Sequence, residues 1–261
     1  MIVTWSEGQA DDGMDQDILT ELVTLTRRHP WWQARSRLVL GLLDQLGVKR
    51  TSEVLDAGCG WGTTLLALEQ AGFRVAGMDV SRRMLDKLDR PERRLIEADL
   101  SQPFPAGTPS FDAVLALDVI EHMDDDKKAL VRLGQLLRPG GALVISVPAL
   151  PELFGEFDRI QGHRRRYLPD SLRAAFFGSG LLVERILWWG QWMVPLLRRQ
   201  RRDGRAFPGE TVAQGYARYL RVGPWPVGAL IGVAFAWEEP RALAGKLRTG
   251  TSLIAVARRP A

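Results

Sequence analysis

The chain has 261 residues, 46% of them hydrophobic and 25% charged, which is enough for one α/β domain with a buried core and a modest cap. Its single cysteine, Cys59, excludes an internal disulfide, and no Cys/His cluster suggests structural zinc. The acidic start of the chain lacks the basic and apolar regions of a secretory signal, so we expect a cytoplasmic protein. Residues 1–150 carry a net charge of −5 and residues 151–261 one of +9, which suits an anionic substrate, a membrane surface or nucleic acid, or only a solvated Arg-rich face.

The N-terminal region is predicted to be helical after an unstructured start. Residues 1–16 show no periodic pattern, so we expect them to be disordered. Residues 17–28 predict a short helix. Residues 31–46 predict an amphipathic helix, because leucines recur along one stripe at helical spacing.

From residue 51 onwards, short apolar runs alternate with helical patterns. Five runs predict buried strands, at 54–57, 74–78, 95–98, 113–117 and 143–147. The segments between them predict helices, at 63–70, 82–88 and 127–137. This alternation is typical of a doubly wound parallel sheet that is covered on both faces and binds ligands at the C-terminal ends of its strands.

The pattern changes after Pro148. A charged loop at 151–169, a helix at 169–177, a strand at 181–187 and a last strand at 251–257 are predicted. The intervening residues are too apolar and Trp-rich for a disordered linker, so we interpret them as an inserted helical cap. The predicted fold is a Rossmann-like α/β domain with seven mostly parallel strands. It is organised as an N-terminal helical segment at 1–50, a core at 51–187, a cap at 188–249, and the last core strand and tail at 250–261.

The strongest motif lies between the first predicted strand of this core and the helix after it. Residues 54–62 read Val-Leu-Asp-Ala-Gly-Cys-Gly-Trp-Gly, so that Asp56 leads a loop containing Gly58, Gly60 and Gly62. Glycines let a backbone approach a ligand closely and adopt positive φ. A carboxylate at Asp56 would repel a pyrophosphate, whereas it would attract a cationic amino-acid group.

Two further carboxylates follow the next two predicted strands. Asp79 can accept hydrogen bonds from both hydroxyls of a ribose, although an Asp or Ser81 at this position can also cap the following helix. Asp99, followed by Leu100, can accept a hydrogen bond from an adenine amino group while a backbone amide reads a ring nitrogen. The alternative for Asp99 is a turn formed before Ser101.

These motifs, taken in order, resemble those of the class I S-adenosylmethionine-dependent methyltransferases. The resemblance is closest to the small-molecule branch that includes the ubiquinone-pathway O-methyltransferases, and it covers nearly the whole chain except about residues 190–248. The segments that carry it are the glycine loop, Asp79 with Ser81, 98–100, 111–122, 137–143, the aromatic–Arg segment 29–35, the loop at 157–167 and the last strand at 250–257.

The resemblance implies roles for individual residues. Asp56, Gly58 and Gly60 would hold the methionine part of S-adenosylmethionine, Asp79 its ribose, and Asp99 with Leu100 its adenine. Asp118, after the fourth core strand, would line the sulfonium side. Trp61 departs from the commoner small residue in the loop, and we expect it only to pack against the cofactor or the cap.

For Asp118, Glu121 and His122 the resemblance also implies a second function, the binding of a metal ion. An acidic residue, two spacers and Glu-His are associated with a divalent metal in the ubiquinone-pathway enzymes, and carboxylate and imidazole are competent ligands together. The alternative is that Glu121 and His122 begin a helix and shape the cofactor pocket, so the metal is left open.

His163 and His122 are the candidate catalytic residues. A neutral histidine can deprotonate a hydroxyl, phenol or amine, and the position of His163 after the fifth core strand predicts that it lies over the transferred methyl. Residues 164–166, all arginine, would lower its pKa and could bind an anionic substrate. The alternative is a hydrogen-bonded structural histidine beside a solvated Arg run.

The expected activity is methyl transfer to an oxygen, less readily to a nitrogen or carbon, of a small molecule that is amphipathic or anionic. A nucleic-acid methyltransferase is the main competing hypothesis, but the fourth core strand ends Leu-Asp-Val and lacks the Asn/Asp-Pro-Pro-aromatic string of enzymes acting on flipped-out amino groups. Two further hypotheses are a non-catalytic module that binds S-adenosylmethionine and an NAD-dependent oxidoreductase.

The cap carries its own hypothesis. Trp188, Trp189 and Trp192 are predicted to fall close together on a helical turn, and arginines follow at 198, 199, 201, 202 and 205. This composition suits an interfacial helix at a membrane surface. The competing interpretation is that the tryptophans form the lid of a pocket for an amphipathic acceptor while the arginines are only solvated.

Overall fold

The computed structural model describes residues 2–6, 22–202 and 212–261. An eight-stranded sheet runs through these residues in the order β1-β4-β3-β2-β5-β6-β8-β7. The strands are β1 (Ile2–Thr4), β2 (Glu53–Ala57), β3 (Arg74–Asp79), β4 (Arg94–Glu97), β5 (Phe111–Leu117), β6 (Leu137–Pro148), β7 (Leu182–Trp189) and β8 (Ser252–Arg258). Among these described strands, β8 alone runs against its neighbours, since it pairs antiparallel with both β6 and β7.

The doubly wound, mostly parallel fold predicted from the sequence is confirmed, but the predicted number of seven strands is wrong. The additional strand is β1, which pairs in parallel with β4 in the register Ile2–Leu95 to Thr4–Glu97. It lies in the segment predicted to be disordered. A three-residue strand is too short to show a period in the sequence, and only its partner strand reveals it. Residues 7–21 lie outside the described part of the chain.

Helices cover both faces of the sheet. They are α1 (Val23–Arg28), α2 (Pro30–Gln45), α3 (Thr63–Gln70), α4 (Arg82–Leu88), α5 (Asp126–Gln135), α6 (Glu156–Ile160), α7 (Pro169–Ala175), α8 (Val194–Arg202), α9 (Val212–Leu220) and α10 (Val227–Leu243). The predicted core helices are all present. The segment 151–169, predicted as a loop, contains the short helix α6 because Gly155 and Asp158 cap its first turn.

The core consists of two apolar layers separated by the sheet. Consecutive residues of the central strands point to opposite faces, so Leu55 and Val114 join one layer while Val54 and Leu115 join the other. All four side chains are fully buried. Burial on both faces explains why these strands read as unbroken apolar runs in the sequence.

The predicted cap is divided between the core and the surface. Trp188 and Trp189 continue strand β7, so the helical turn predicted for these two residues is wrong. Trp189 is fully buried and pairs with Ser252 of β8. Helix α10 packs along α2, with Phe235 in the same apolar layer as the leucines of that helix. Arg205 lies outside the described residues.

Glu238 fixes α10 to the end of strand β7. It is buried, and its carboxylate accepts hydrogen bonds from the backbone amides of Gly190 at 2.6 Å and Trp192 at 3.2 Å. This explains a glutamate in an otherwise apolar helix. None of the described helices combines the length and the apolar character needed to cross a bilayer.

Candidate functional site

The C-terminal ends of β2, β3, β4 and β5 surround a cavity of about 560 Å³. The parallel strands bring their following loops to one edge of the sheet, as the doubly wound fold predicts. All nine residues proposed from the sequence line this cavity: Asp56, Gly58, Gly60, Asp79, Asp99, Leu100, Asp118, His122 and His163. Their roles in binding and catalysis remain predictions, while their convergence on one cavity is a property of the structure.

The glycine loop is held in place by strand β3. The backbone amides of Gly58 and Cys59 both donate to the carbonyl oxygen of Met78, at 2.7 and 2.9 Å. Gly58 has a φ of +75°, and a Cβ placed there would lie 2.5 Å from a methyl group of Val119. Only glycine meets both requirements at this position.

Asp79 fastens the glycine loop to the start of helix α4. Its carboxylate accepts hydrogen bonds from the backbone amides of Gly60 at 2.7 Å and Ser81 at 2.9 Å. The cap of α4 is Ser81, whose hydroxyl accepts from the amide of Met84. Asp79 is thus not the helix cap, and it is one of the residues lining the cavity.

The Asp99 carboxylate forms a turn with Ser101, accepting from both its amide and its hydroxyl. A turn at this position was the alternative to adenine binding in the sequence analysis. The turn does not prevent a carboxylate oxygen of Asp99 from accepting a further hydrogen bond. The amide of Asp99 donates to the Ser6 hydroxyl at 2.8 Å. Strand β1 therefore brings Ser6 to this end of the cavity, a contact that the sequence did not indicate.

Asp56 lies at the floor of the cavity and is almost completely buried. Burial raises the pKa of its carboxyl group to about 7, although the nearby Arg35 guanidinium favours the charged form. Asp79 raises the same pKa further by charge repulsion. A cationic group bound beside Asp56 would convert it to the carboxylate form.

Asp118 and Arg35 form an ion pair in the lining of the cavity. Asp118 has a φ of 57°, which is unusual for a residue other than glycine, and its carboxylate also accepts from the Ser146 hydroxyl at 3.0 Å. Arg35 comes from helix α2, is 8% exposed, and stacks over the ring of Trp31 at 4.9 Å. The sequence singled out the aromatic–Arg segment but gave Arg35 no function.

His163 is held by Asp158. Its Nδ1 lies 3.1 Å from the Asp158 carboxylate, and its Nε2 lies 3.9 Å from Glu121 Oε1. Burial opposes ionisation of Asp158, but hydrogen bonds from His163 and Arg166 outweigh burial and lower its pKa to about 2. An ionised Asp158 fixes the proton of His163 on Nδ1 and leaves Nε2 as the basic nitrogen.

The three arginines after His163 are engaged in the loop itself. Arg164 pairs with Asp124 at 2.7 Å, Arg165 pairs with Asp126 at 3.2 Å, and Arg166 pairs with Asp158. Each also donates to a backbone carbonyl oxygen. The geometry therefore favours a structural function for this run over the predicted capture of an anionic substrate.

Glu121 and His122 bring unpaired polar atoms into the interior. Within the described part of the chain, neither carboxylate oxygen of Glu121 nor Nδ1 of His122 has a hydrogen-bond partner. Burial, and then Asp118, raise the pKa of Glu121 well above its usual range. Burial, and then His163, lower the pKa of His122 to about 3. Both shifts favour the uncharged form of the side chain.

Glu121, His122 and His163 are also the group of described residues that could hold a metal ion, because their ligand atoms lie within 4.8 Å of one another. One carboxylate and two imidazoles suit a transition metal, and Asp158 would orient one imidazole. Asp118, which the sequence grouped with Glu121 and His122, is not part of this cluster.

Aromatic side chains form a cluster at the cavity, and Trp32 and Trp61 are among its lining residues. Trp32 and Trp61 meet edge to face at 5.7 Å, and Trp61 faces Tyr216 of helix α9 at 6.4 Å. Phe157 of helix α6 stacks on Tyr216 at 5.4 Å. The expectation that Trp61 packs against the cap is therefore confirmed, and this cluster joins the glycine loop to α2, α6 and α9.

Comparison with protein families gives one match over the core. A family model described as a methyltransferase domain matches residues 31–186. This segment includes helix α2 and every core strand from β2 to β6, together with most of β7. It contains all nine of the residues that were proposed from the sequence and that line the cavity.

The chain is also similar to curated proteins and to solved structures. The chain is 30% identical over 158 residues to a malonyl-[acyl-carrier protein] O-methyltransferase of Pseudescherichia vulneris, covering 58% of this chain and 59% of that protein. It is 27% identical over 134 residues to a ubiquinone biosynthesis O-methyltransferase of Paracidovorax citrulli, covering 45% and 56%. The matches thus span a little over half the length of these relatives.

The crystal structure of the [4+2]-cyclase SpnF has a similar fold, with a TM-score of 0.55 and 19% identity over 86% of this chain and 81% of that one. A likeness at this level of identity concerns the fold alone. The arrangement of side chains at the strand ends is what connects the fold to a chemical activity.

Proposed function

Because the chain belongs to the methyltransferase-domain family, we propose that it transfers a methyl group from S-adenosylmethionine to an oxygen of a small amphipathic molecule. S-adenosylmethionine is the cofactor, and the enzyme class predicted from the sequence is confirmed by the family match. The identity of the acceptor and of its reacting atom is our proposal. It is carried by one observation: carboxylates and tryptophans line the same cavity.

The carboxylates of the lining suit the cofactor. S-adenosylmethionine carries a positive ammonium and a positive sulfonium, and Asp56, Asp79 and Asp118 present carboxyl groups to the cavity. Opposite charges within a few ångströms attract strongly where water is excluded. We assign Asp56 with the loop of Gly58 and Gly60 to the methionine part. Asp79 is assigned to the ribose, Asp99 and Leu100 to the adenine, and Asp118 to the sulfonium side.

The tryptophans of the lining suit an amphipathic acceptor. They are Trp31, Trp32 and Trp61. The basic residues of the lining are already engaged: Arg35 with Asp118, Arg164 with Asp124, Lys128 with Asp125 at 3.3 Å, and Arg132 with the carbonyl oxygen of Leu100 at 2.6 Å. An acceptor with an apolar or aromatic body is favoured over a highly anionic one, because no charge on the acceptor is needed to satisfy these cations.

Oxygen is the favoured acceptor atom for two reasons. Two relatives that match the core are named O-methyltransferases. In addition, His163 has the arrangement of a general base, with Asp158 on Nδ1 and a basic Nε2. Nε2 would take the hydroxyl proton as the oxygen attacks the methyl carbon, and the sulfonium departs as the neutral thioether. His122, which stays neutral, is proposed to shape the pocket beside His163.

The function is tested with S-adenosylmethionine labelled in its methyl group and a panel of phenols, carboxylic acids and amines that carry apolar tails. We expect saturable cofactor binding by calorimetry and label in the O-methyl product. Binding without turnover on any acceptor would favour the non-catalytic module. Salt-dependent binding of RNA or DNA with label in the nucleic acid would favour the nucleic-acid enzyme.

His163 is tested in the same assay once an acceptor is found. His163→Ala should lower turnover by about 10²-fold or more while cofactor affinity stays unchanged, and the loss should shrink at high pH as the acceptor ionises by itself. Arg198→Ala, on the exposed surface of helix α8, serves as the control. Turnover equal to that of the wild type across the pH range would remove His163 from the mechanism.

A further inference from the structure

Helix α10 presents an apolar face to solvent. Its first eleven residues, 227–237, include no charged side chain. Leu230, Val233 and Trp237 are 62%, 65% and 64% exposed, and their spacing of three and four residues places them on one stripe. Trp225, in the turn before the helix, is 88% exposed. We name Trp225, Leu230, Val233 and Trp237 the α10 stripe.

The stripe is fixed in this outward position by the opposite face of the helix. Phe235 and Ala242 pack into the core layer beneath α2, and Glu238 binds the backbone amides after β7. Rotating the helix to bury the stripe would expose these residues and leave the two amides unpaired. The exposure is therefore a feature of the folded protein. A contiguous apolar patch of this kind marks an interaction site more often than a random surface does.

Basic side chains lie at both ends of the stripe, and others lie beside a neighbouring face of the helix. Arg241 stacks over the ring of Trp237 at 3.7 Å and is exposed, and Arg221 is exposed just before the turn. Arg28 and Arg37 line a shallow groove at the start of α10. Of the two acidic residues of the helix, Glu238 is buried and Glu239 pairs with Arg37 at 3.4 Å. The described charges around the stripe are thus mainly positive.

We propose that the α10 stripe inserts into the headgroup region of a lipid bilayer that contains anionic lipids. Tryptophan favours this region, and arginines beside an apolar helix face attract anionic headgroups. A second copy of the chain suits the surface less well, because a two-fold contact would bring the same arginines together. The binding surface is not the one predicted from the sequence, since Trp189 is buried and Trp188 and Trp192 are partly buried against the core.

The groove beside α10 and the cavity share one segment of the chain. His29 and Pro30 line the groove, while Trp31 and Trp32, next along the chain, line the cavity. An amphipathic acceptor dissolved in the bilayer would pass along this segment to the tryptophans of the cavity; this consequence rests on the proposed function, whereas membrane binding itself does not.

The experiment is vesicle flotation of the full chain, with no acceptor present. Vesicles of phosphatidylcholine are compared with vesicles that also contain phosphatidylglycerol. The wild type should float with the anionic vesicles at low salt and be released at high salt. Leu230→Ser and Trp237→Ser together should weaken this binding by about tenfold or more, and Arg241→Gln by about fivefold. Phe177→Ser, at a residue 85% exposed elsewhere on the surface, is the matched control and should bind like the wild type.

Three results would overturn the proposal. The first is a wild-type protein that stays below the anionic vesicles at low salt, and the second is equal flotation of the wild type and the Leu230/Trp237 variant. The third is a concentration-dependent dimer by light scattering that the same variant abolishes, which would identify the stripe as a self-association surface. Calorimetric binding of S-adenosylmethionine by every variant shows that each remains folded, and it tests the proposed function separately.

Discussion

The strand-end region at residues 54–122 and the cap region at residues 188–249 position their functional side chains in different ways. In the strand-end region a functional side chain lies at the end of its own strand, as Asp56 and Asp79 do, or directly after it, as Asp118 does. In the cap region a side chain acts through a distant partner, as Glu238 does at the end of β7. Short sequence motifs therefore reveal the functional residues of the strand-end region, whereas only tertiary packing reveals those of the cap region.

The largest expected effect tests whether the strand-end region works as a local unit. Asp79→Ala removes the proposed ribose acceptor and also the acceptor for the amides of Gly60 and Ser81. We expect cofactor affinity to fall by about 1–3 kcal/mol, measured by calorimetric titration. Asp86→Ala on the exposed face of α4 is the matched control. An unchanged dissociation constant for Asp79→Ala would show that this carboxylate does not hold the cofactor.

The next effect tests how firmly the cap region is joined to the core. Glu238→Ala leaves two buried amides without an acceptor, so the free energy of unfolding should fall by about 2 kcal/mol or more. Glu239→Ala, one residue further along and on the surface, should change it by less than about 1 kcal/mol. Urea denaturation measures both. Equal stability of the two variants would mean that α10 is held only by its apolar contacts.

A smaller effect concerns the protonation of the strand-end region. The pKa of Asp56 is raised to about 7 by burial, and the bound ammonium requires the carboxylate form. Cofactor affinity should therefore rise with pH, by at most about tenfold per pH unit, and level off above pH 7. Calorimetry in buffers of different ionisation enthalpy should show proton release on binding below this pH.

Asp56→Asn is the control for that pH dependence and should flatten it. Protein stability has the opposite dependence on pH. Because the pKa of folded Asp56 lies above the unfolded value, its contribution favours folding at low pH and is lost as the pH rises through about 7. Affinity that does not change between pH 5 and pH 8 would contradict the assigned position of Asp56.

The sequence predicted most of the fold and nine of the residues that line the cavity, because strand ends and glycine loops are local signals. It could not predict β1, since three residues carry no period, or the ion pair of Arg35, since its partner Asp118 is 83 residues away. It placed Trp188 and Trp189 on a helix because two adjacent tryptophans fit the period of a helix as well as that of a strand. Only the pairing of these residues with β8 shows that they form a strand. The exposure of α10 was likewise invisible, because an uncharged run reads as buried until its neighbours are known.

The smallest effect tests whether the two regions are coupled. The described contact between them at the glycine loop is the aromatic cluster, in which Tyr216 of α9 faces Trp61. An aromatic pair contributes about 0.5–1.5 kcal/mol beyond its buried area, so Tyr216→Leu should weaken cofactor binding by about two- to tenfold if this contact orders the loop. Tyr219→Phe, on the same helix, loses the hydrogen bonds of its hydroxyl with Glu156 and Arg218 but keeps its ring, and should leave cofactor affinity unchanged. Equal affinities of both variants and the wild type, measured by calorimetry, would show that the strand-end region binds its cofactor without help from the cap region.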